Sequence, residues 1–327
     1  MQVKKVYIYP SLGGSRSMQR YLDGVCSGLN SNGVPWEIVK PSNSSPWSKY
    51  ISYPLLALKR NKENGKHLII SERYAYLSYF IKSNAYVVCH DLHSLYQEAK
   101  TPWIHKMIYR FFLKAMMGAH KVVCISEHTK KDLLRFYSKF SYHSGLLVVH
   151  NGIEEFWSGS IPAQNESANW TNIFNKKKVL LSVGIDAWYK NNTWSLKLLN
   201  SLEGNFHLLR IGEFNQGNQR LIKSLQLDQR ITQVTNVSDN LLKLAYQKST
   251  ILLFPSISEG FGWPAMEAAM NGCPVASDGL GATSELFHNE DDLIKLNDAK
   301  GNLILGDLRK SMPKYSLWSD QVKMLLS

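Results

Sequence analysis

The sequence predicts an α/β protein with two parallel sheets, each in its own domain. Its 327 residues suffice for about two domains that each bury a core. Short β-branched or aromatic runs alternate with amphipathic stretches along the whole chain, which is typical of doubly wound sheets. Most of the runs are apolar on both faces, as strands covered by helices on both sides must be.

The individual elements follow from this alternation. The runs predicted to be strands are, in chain order, Val6–Tyr9, His67–Ile70, Tyr86–Cys89, Val122–Ser126, Leu146–Val149, Val179–Val183, His207–Ile211, Ile251–Phe254 and Val275–Ser277. The clearest helices, predicted from apolar positions at helical spacing, are Met18–Asn30, Glu127–Phe136, Asn240–Lys248 and Pro264–Met270.

The strand pattern stops after the segment VVHNGIEEFW and restarts at Lys178. The polar stretch Ser158–Asn175 between them is predicted to be a linker. Residues 1–160 are therefore expected to form an N-terminal Rossmann-like domain and residues 161–312 a C-terminal one, with residues 313–327 packing back on the first. Ligands of open α/β sheets bind at the carboxyl ends of the strands, so a cleft between the facing domains is the predicted site.

Composition narrows the choice of partners and compartment. A net charge of +12 indicates an anionic partner, which could be nucleic acid, a phosphorylated substrate or an anionic membrane face. The chain has no zinc-finger spacing and no RRM signature, so a nucleic acid is not predicted. Its four cysteines form no CxxC pair, which suits a reducing cytosol. No apolar run reaches the roughly 18 residues that span a bilayer, and the first residues predict a strand rather than a signal peptide.

The segment PSISEGFGWPAMEAAMNGCPVASD carries the strongest pattern, with Glu259 and Glu267 eight positions apart. Its prolines and glycines predict a turn after a strand, and Pro264 suits the first position of the next helix. The amides at that helix start, backed by the helix dipole, can hold sugar hydroxyls or phosphate oxygens. Two carboxylates beside them suit paired hydroxyls such as a ribose diol. The alternative is that Glu267 only complements the helix dipole and Glu259 lies in a solvated loop.

This segment resembles the EGFGxPxxEAxxxGxPV pattern of the retaining GT-B glycosyltransferases of the GT4 (glycosyl transferase group 1) family. Further segments of that family occur in the same order along this chain. They are similar to VCISEHTKKDL, VVHNGI, LLSVGIDAWYKN and TNVSDNLLKLAYQKSTILLFPS. The resemblance spans most of the chain. It implies the GT-B fold, with two Rossmann-like domains across a cleft, and sugar transfer from a nucleotide-diphosphate sugar to an acceptor hydroxyl.

The resemblance also implies roles for residues of the second half. Glu259 would lie beside the donor sugar, and Glu267 would bind the ribose of the nucleotide. The amides of Phe261, Gly262 and Trp263 would hold sugar hydroxyls or phosphate.

Lys190 matches the lysine that neutralises the diphosphate leaving group, a role that a fixed cation can fill because negative charge develops there. The alternative is a solvated loop lysine. Family members often carry a second basic residue just before this lysine, where this chain has Trp188 and Tyr189. Arg210 is a candidate substitute in donor binding, although its place in a strand equally favours a structural role.

The first half contributes two weaker candidates. Gly13 and Gly14, between the first strand and the first helix, would let a substrate or phosphate approach the backbone closely. His90 and Asp91 follow an apolar strand, and family members often have a histidine there. Such a pair could orient an acceptor hydroxyl or relay its proton, with His90 as a catalytic group and Asp91 on the acceptor side. The alternative is a capping Asp91 beside a structural His90.

No cofactor and no metal are expected. The segment NEDDL at Asn289–Leu293 predicts a solvated turn or helix start rather than a metal pocket. Enzymes with the GT-B fold use basic side chains and helix dipoles where others use a metal ion, so the resemblance implies the nucleotide-diphosphate sugar as substrate without a metal.

The stretch Pro102–Lys121 combines apolar and aromatic residues with Lys106, Arg110 and Lys114 at helical spacing. It is interpreted either as a helix lying on an anionic membrane face or, more commonly for such a pattern, as a Rossmann helix with a wet basic stripe. Together with the basic segment Leu58–Lys66, this stretch leaves open that the protein binds peripherally to the inner face of the membrane. A lipid-linked or cell-envelope glycan acceptor would fit.

The sequence therefore predicts a hexosyl-type glycosyltransferase in cell-envelope polysaccharide or glycolipid synthesis. The resemblance implies retention of the anomeric configuration. Two alternatives stay open on the same architecture, a nucleotide-sugar epimerase and a non-catalytic pseudo-transferase.

Overall fold

A computed structural model describes residues 5–81, 84–157, 173–175, 178–300, 303, 308, 311 and 313–327. Contacts divide the chain into two compact units: unit 1 is Met1–Glu154 with Tyr315–Ser327, and unit 2 is Glu155–Lys314. The predicted linker, Ser158–Asn175, lies outside the described residues except for 173–175.

Unit 1 contains a six-stranded sheet in which every neighbouring pair is parallel. Its strands are β1 (Val6–Tyr9), β2 (Trp36–Ile38), β3 (Lys66–Ile69), β4 (Ala85–Cys89), β5 (Lys121–Cys124) and β6 (Leu146–Val148). The spatial order is β2-β1-β3-β4-β5-β6. The direction of winding therefore reverses between β1 and β3, where doubly wound sheets bind ligands.

The helices of unit 1 are α1 (Arg16–Ser31), α2 (Tyr53–Asn61), α3 (Trp103–Met116) and α4 (Glu127–Phe136). A π-helix at Ser48–Ser52 runs into α2, and a 3-10 helix at Glu72–Tyr79 follows β3. The side chains of α2, α3 and the 3-10 helix pack together with strand side chains in one core. The sheet therefore has a covering layer made of these three helices.

Unit 2 contains a five-stranded sheet, also parallel throughout. Its strands are β7 (Lys178–Val183), β8 (Phe206–Ile211), β9 (Ile231–Val234), β10 (Ile251–Leu253) and β11 (Val275–Ala276). The order β11-β10-β7-β8-β9 reverses between β7 and β10. The helices are α5 (Asn192–Ser201), α6 (Gln216–Ser224), α7 (Asp239–Lys248) and α8 (Trp263–Met270).

The last helix of the chain, α9 (Trp318–Leu326), belongs to unit 1. A Cβ on Gly28 of α1 would lie 2.6 Å from the carbonyl oxygen of Trp318, and one on Gly24 would overlap the Trp318 ring. These two glycines therefore allow α1 and α9 to pack in direct contact. Ile153 also donates its amide hydrogen to the carbonyl of Ser316 at 3.0 Å.

The α/β class and the GT-B fold predicted from the sequence are confirmed, and all nine predicted strands are present within about one or two residues. Two strands were missed, β2 and β9. Both are edge strands with half-exposed side chains, so neither shows the continuous apolar run that marks the covered strands.

Candidate functional site

The switch point of the unit 2 sheet brings together two of the predicted site residues. Lys190 ends a short 3-10 helix, Trp188–Lys190, in the loop after β7, and Glu259 lies in the loop after β10. Because β7 and β10 are parallel neighbours, these loops leave the same edge of the sheet side by side. A lysine and a glutamate that are 69 positions apart in sequence thus meet in space.

Lys190 and Glu259 form a partly desolvated ion pair. The Nζ atom of Lys190 donates to Oε1 of Glu259 at 2.6 Å, with 12% and 8% of the two side chains exposed. The ammonium group also lies 5.2 Å from the centre of the Phe254 ring, at the end of β10. Each side chain of such a buried pair depends on the other, because removing one partner leaves the other charge buried and uncompensated.

The loop that carries Glu259 is fixed on two sides. The amide of Ile257 donates to the carbonyl of Tyr189 at 2.8 Å, which joins it to the lysine loop. The amide of Ala282 donates to the carbonyl of Glu259 at 3.1 Å. Gly281 makes this approach feasible, since a Cβ there would lie 2.4 Å from the backbone nitrogen of Glu259. The sequence reasoning missed Gly281.

The start of α8 has the geometry expected of a polar-ligand site. Gly262 is the N-cap residue and has a φ of +102°, which favours glycine. The amides of Phe261 and Gly262 meet no hydrogen-bond acceptor among the described residues. The Phe261 ring packs edge-on against Trp263, with ring centroids 4.9 Å apart. Backbone N–H groups that can donate hydrogen bonds, and the positive end of the helix dipole, therefore lie in the same segment as Glu259.

Glu267 lies one turn further along α8 and is only 2% exposed. Its Oε2 atom accepts a hydrogen bond from the buried hydroxyl of Tyr246 in α7, at 2.8 Å. Tyr246 is a second residue that the sequence reasoning missed. The signal was present, because Tyr246 shares the apolar face of α7 with Leu242 and Ala245, and a buried tyrosine hydroxyl needs a partner.

Arg210 is a loop-supporting residue rather than a donor-facing one in this structure. It is fully buried in β8, and its guanidinium donates to the Ser182 hydroxyl at 2.8 Å and to the carbonyls of Gly184 and Glu213. Burial lowers the pKa of Arg210 to about 10, although the charge of Asp186 opposes that shift. Both terminal nitrogens of its guanidinium thus join the loops after β7 and β8, and the remaining nitrogen, Nε, is buried without a hydrogen-bond partner among the described residues.

In unit 1, the predicted glycines follow β1 and the predicted histidine follows β4. Gly13 has a φ of +71° and, like Gly14, is exposed. The Nε2 atom of His90 lies 2.8 Å from the carbonyl oxygen of Ile70, so this nitrogen carries the hydrogen. Burial lowers the pKa of His90, which keeps the ring neutral at pH 7. Its Nδ1 lone pair then remains available as an acceptor.

Asp91 and His93 form a local pair beside His90. The amide of His93 donates to Oδ1 of Asp91 at 3.2 Å, and the His93 ring nitrogen lies 3.4 Å from the same oxygen. This contact is the capping arrangement predicted as the alternative for Asp91. About 43% of the Asp91 side chain is exposed, so its carboxylate still reaches solvent.

A buried carboxyl group next to His90 was not predicted. Glu72 follows the cap residue Ser71 after β3 and is 4% exposed. Its carboxyl oxygens accept from the Tyr109 hydroxyl at 3.2 Å and from the amide of His90 at 3.4 Å. Burial, reinforced by the charge of Asp91, raises the pKa of Glu72 to about 7. The segment HLIISER carried the signal, since the acid follows an apolar strand just as His90 does.

Metal ligation has no candidate in the part of the chain that the structure describes: no three His, Cys, Asp or Glu side chains converge there. Metal-free donor binding stays a prediction.

Comparison with known proteins finds sequence similarity to glycosyltransferases. Residues 164–301 match the sequence model of the glycosyl transferases group 1. The chain is 25% identical over 221 residues to the O-antigen chain mannosyltransferase RfbU of Salmonella typhimurium, covering 66% of this chain and 58% of that protein. It is 31% identical over 100 residues to the D-inositol 3-phosphate glycosyltransferase of Pseudarthrobacter chlorophenolicus, covering 30% and 22% of the two chains. The matches thus span less than two thirds of either relative.

Solved structures share the fold at low sequence identity. HepE of Anabaena, crystallised with UDP and glucose, superposes with a TM-score of 0.72 at 13% identity, over 98% of this chain and 94% of that one. WaaG, a glycosyltransferase involved in lipopolysaccharide biosynthesis, gives 0.64 at 15% identity, over 98% and 95%. Residues 164–301 therefore match the model of the glycosyl transferases group 1 family, within a chain that has the GT-B fold.

Proposed function

We propose that this chain transfers a sugar from a nucleotide-diphosphate donor to an acceptor hydroxyl. The observation that carries the proposal is the contact between Lys190 and Glu259, which sets a fixed cation and a carboxylate at the switch point of the unit 2 sheet, in the loop leading to α8. A departing diphosphate develops negative charge, and a fixed cation with preorganised amides stabilises that charge as it forms.

The ion pair suggests how the donor is received. The charge of Lys190 is paired with that of Glu259. We expect the donor diphosphate to compete for the ammonium group, which releases a carboxylate oxygen of Glu259 to accept hydroxyls of the sugar. Glu267 is proposed for the ribose, and the amides of Phe261 and Gly262 for sugar hydroxyls or phosphate. Exchange of one anionic partner for another avoids leaving a buried charge unpaired.

The transfer is proposed to retain the anomeric configuration and to need no metal. The acceptor hydroxyl would attack from the face that the diphosphate leaves, with a donor phosphate oxygen taking its proton. In unit 1, His90 and Asp91 are proposed for the acceptor, His90 through its Nδ1 lone pair. The relatives support a hexosyl group and a cell-envelope glycan as acceptor, because one is an O-antigen mannosyltransferase and a fold neighbour acts in lipopolysaccharide biosynthesis. The four free cysteines of the chain fit a location in the reducing cytosol.

A donor panel tests the proposal. The full chain is incubated with UDP-, GDP-, ADP- and dTDP-sugars, and the melting temperature shows which donor binds, since a bound ligand raises it. That donor is then followed by proton NMR with and without glycan acceptors. Transfer is shown by release of the nucleoside diphosphate together with a new anomeric signal of the donor's configuration.

The same spectra separate the alternatives. A donor that epimerises in the absence of any acceptor would replace the transferase proposal with an epimerase. Failure of every donor to shift the melting temperature or to turn over would instead indicate a pseudo-transferase, and an inverted anomeric signal would overturn retention alone.

A further inference from the structure

The covering layer of unit 1 presents an unusual concentration of apolar side chains to solvent. Eleven of the eighteen large apolar side chains that are exposed among the described residues lie directly before or on the π-helix, on α2, on the end of the 3-10 helix, and on α3. They are Trp47, Tyr50, Ile51, Leu55, Leu58, Tyr79, Trp103, Ile104, Met107, Ile108 and Phe111. This set is called the apolar face. Exposed apolar patches of this extent mark interaction sites.

Helical spacing explains why α3 is apolar on two sides. Tyr109, Phe112 and Met116 face the core. The exposed residues Ile104, Met107, Ile108 and Phe111 recur at intervals of three and four and form a second stripe. On the π-helix and α2, the exposed positions from Trp47 to Leu58 follow the same spacing. A helix of this kind buries one stripe in its own protein and keeps the other for a partner.

Contacts between aromatic rings link the π-helix to α3 through the 3-10 helix. Tyr50 lies 5.8 Å from Tyr76 of the 3-10 helix, and Tyr76 lies 6.2 Å from Phe112 of α3. Phe112 contacts Phe111 at 6.0 Å, and Phe111 contacts Tyr79 at 6.3 Å, all between ring centroids. The two parts of the apolar face, on the π-helix and on α3, are therefore anchored to the same buried aromatic cluster.

Charge indicates the partner. Residues 47–62 and 102–117 contain seven lysines and arginines and no aspartate or glutamate. Of these, Lys59, Lys62, Arg110 and Lys114 form no ion pair within the described residues. A second copy of the chain docking through this face would bring like charges together across a two-fold axis. Anionic headgroups would instead neutralise them while the apolar side chains enter the acyl boundary.

We propose that the apolar face docks unit 1 on an anionic lipid bilayer. Tryptophans near the start of both segments, Trp47 and Trp103, suit the headgroup region, where an amphipathic ring is favoured. No helix of the described residues is long and apolar enough to cross a bilayer, so the contact is a peripheral one. The inference is independent of the proposed reaction, because lipid binding can be measured without donor or acceptor.

Vesicle flotation with the full chain tests the proposal. Vesicles of phosphatidylcholine alone are compared with an equal mixture of phosphatidylcholine and phosphatidylglycerol, at low and high salt. The wild type is expected to float with the mixed vesicles and to be released by salt. Met107→Ser/Phe111→Ser is expected to bind at least about tenfold more weakly because apolar burial is lost, and Arg110→Gln/Lys114→Gln about 30-fold more weakly because two cations are lost.

A matched control removes apolar area elsewhere in unit 1. Tyr142 and Met324 are 89% and 50% exposed and lie outside the apolar face, so Tyr142→Ser/Met324→Ser should float like the wild type. Melting temperatures confirm that each variant folds. The proposal is overturned if the wild type ignores the mixed vesicles or if the Met107/Phe111 variant binds them normally. A concentration-dependent dimer that this variant abolishes, without vesicle binding, would assign the face to a second copy instead.

Discussion

The two sheets have the same kind of parallel topology but differ in the ionisable groups at their carboxyl ends. One end holds an ion pair, and the other holds two groups whose burial disfavours their charged forms. In unit 2, Lys190 and Glu259 form an ion pair with 2.6 Å between Nζ and Oε1. In unit 1, Glu72 and His90 lie beside each other in largely buried surroundings that favour their neutral forms. Burial is similar in both places, but Lys190 contacts Glu259 at 2.6 Å, whereas the half-exposed Arg73 lies 3.8 Å from Glu72 and the negative charge of Asp91 opposes ionisation there.

This difference fits two separate tasks. A matched charge pair can exchange one partner for a substrate anion, which suits a group that meets a diphosphate. A neutral histidine with a free nitrogen lone pair can accept a proton or a hydroxyl hydrogen bond, which suits a group that meets an acceptor. The variants below remove the charged pair or the neutral pair in turn.

The largest effect is expected from the charged pair. Lys190→Met should lower kcat by about 10³-fold, because the cation proposed to stabilise the leaving diphosphate is gone. It should also lower the free energy of unfolding by about 3 kcal/mol or more, since Glu259 is left buried without a partner. Steady-state kinetics with the donor found in the panel, and urea denaturation, measure the two effects.

Two further variants distinguish a functional pair from a structural one. Lys190→Met/Glu259→Gln should regain most of the stability while remaining inactive, and recovery of transfer in this double variant would contradict a role for Lys190 in the reaction. Lys323→Met is the matched control, because Lys323 and Asp320 form a pair whose side chains are more than half exposed. Such a pair contributes about 1 kcal/mol or less, and neither activity nor stability should change much.

A smaller effect on transfer is expected from His90. His90→Gln places an amide nitrogen where Nε2 donates to Ile70, and it removes the Nδ1 lone pair. If Nδ1 serves the acceptor, kcat/KM for the acceptor should fall by at least about 10²-fold, with donor KM and melting temperature nearly unchanged.

The corresponding control is His143→Gln. The Nε2 atom of His143 also lies beside a backbone carbonyl, that of Ala119 at 3.1 Å, but no acceptor role is proposed for His143. Its variant should transfer sugar normally. Retention of full activity by His90→Gln would leave His90 with only the structural task of joining the loops after β3 and β4.

How much of this could be predicted from sequence differs between the two units. The segment from Pro255 to Asp278 is local: strand, turn, glycines and helix start follow one another, so the backbone site and Glu259 were predictable. The partners of its carboxylates come from distant positions. Lys190 was found through the family resemblance, and Tyr246 could have been found from the apolar face of α7, whereas Gly281 depends on packing that no single segment displays.

Arg210 shows the limit more sharply. A basic residue in an apolar strand is compatible with a ligand contact or with a buried support, and its sequence surroundings are the same for both. Three-dimensional packing settles its place here, because the carbonyls of Gly184 and Glu213 and the hydroxyl of Ser182 surround its guanidinium. Glu72 was missed for a related reason, since its burial depends on contacts with Tyr109 and His90, which come from distant segments.

The last prediction concerns Glu72 and stability. Its pKa is about 7 in the folded chain against an ordinary value of 4.5, so the folded state binds more protons between these values. This contribution to stability is therefore complete below about pH 4.5 and is lost as the pH rises through 7. For the wild type we expect the loss from Glu72 to be about 2 to 3 kcal/mol between pH 5 and pH 8.

Glu72→Gln removes the titrating group and keeps its shape, so the variant's unfolding free energy should be flatter over this range, measured by urea denaturation at four pH values. Glu127→Gln is the matched control, because 52% of the Glu127 side chain is exposed and its pH profile should follow the wild type. If Glu72→Gln also followed the wild type, the carboxyl would be ionised throughout, stabilised by Arg73 at 3.8 Å. The carboxyl end of the unit 1 sheet would then hold a charge, as unit 2 does, and the contrast between the two sheets would be lost.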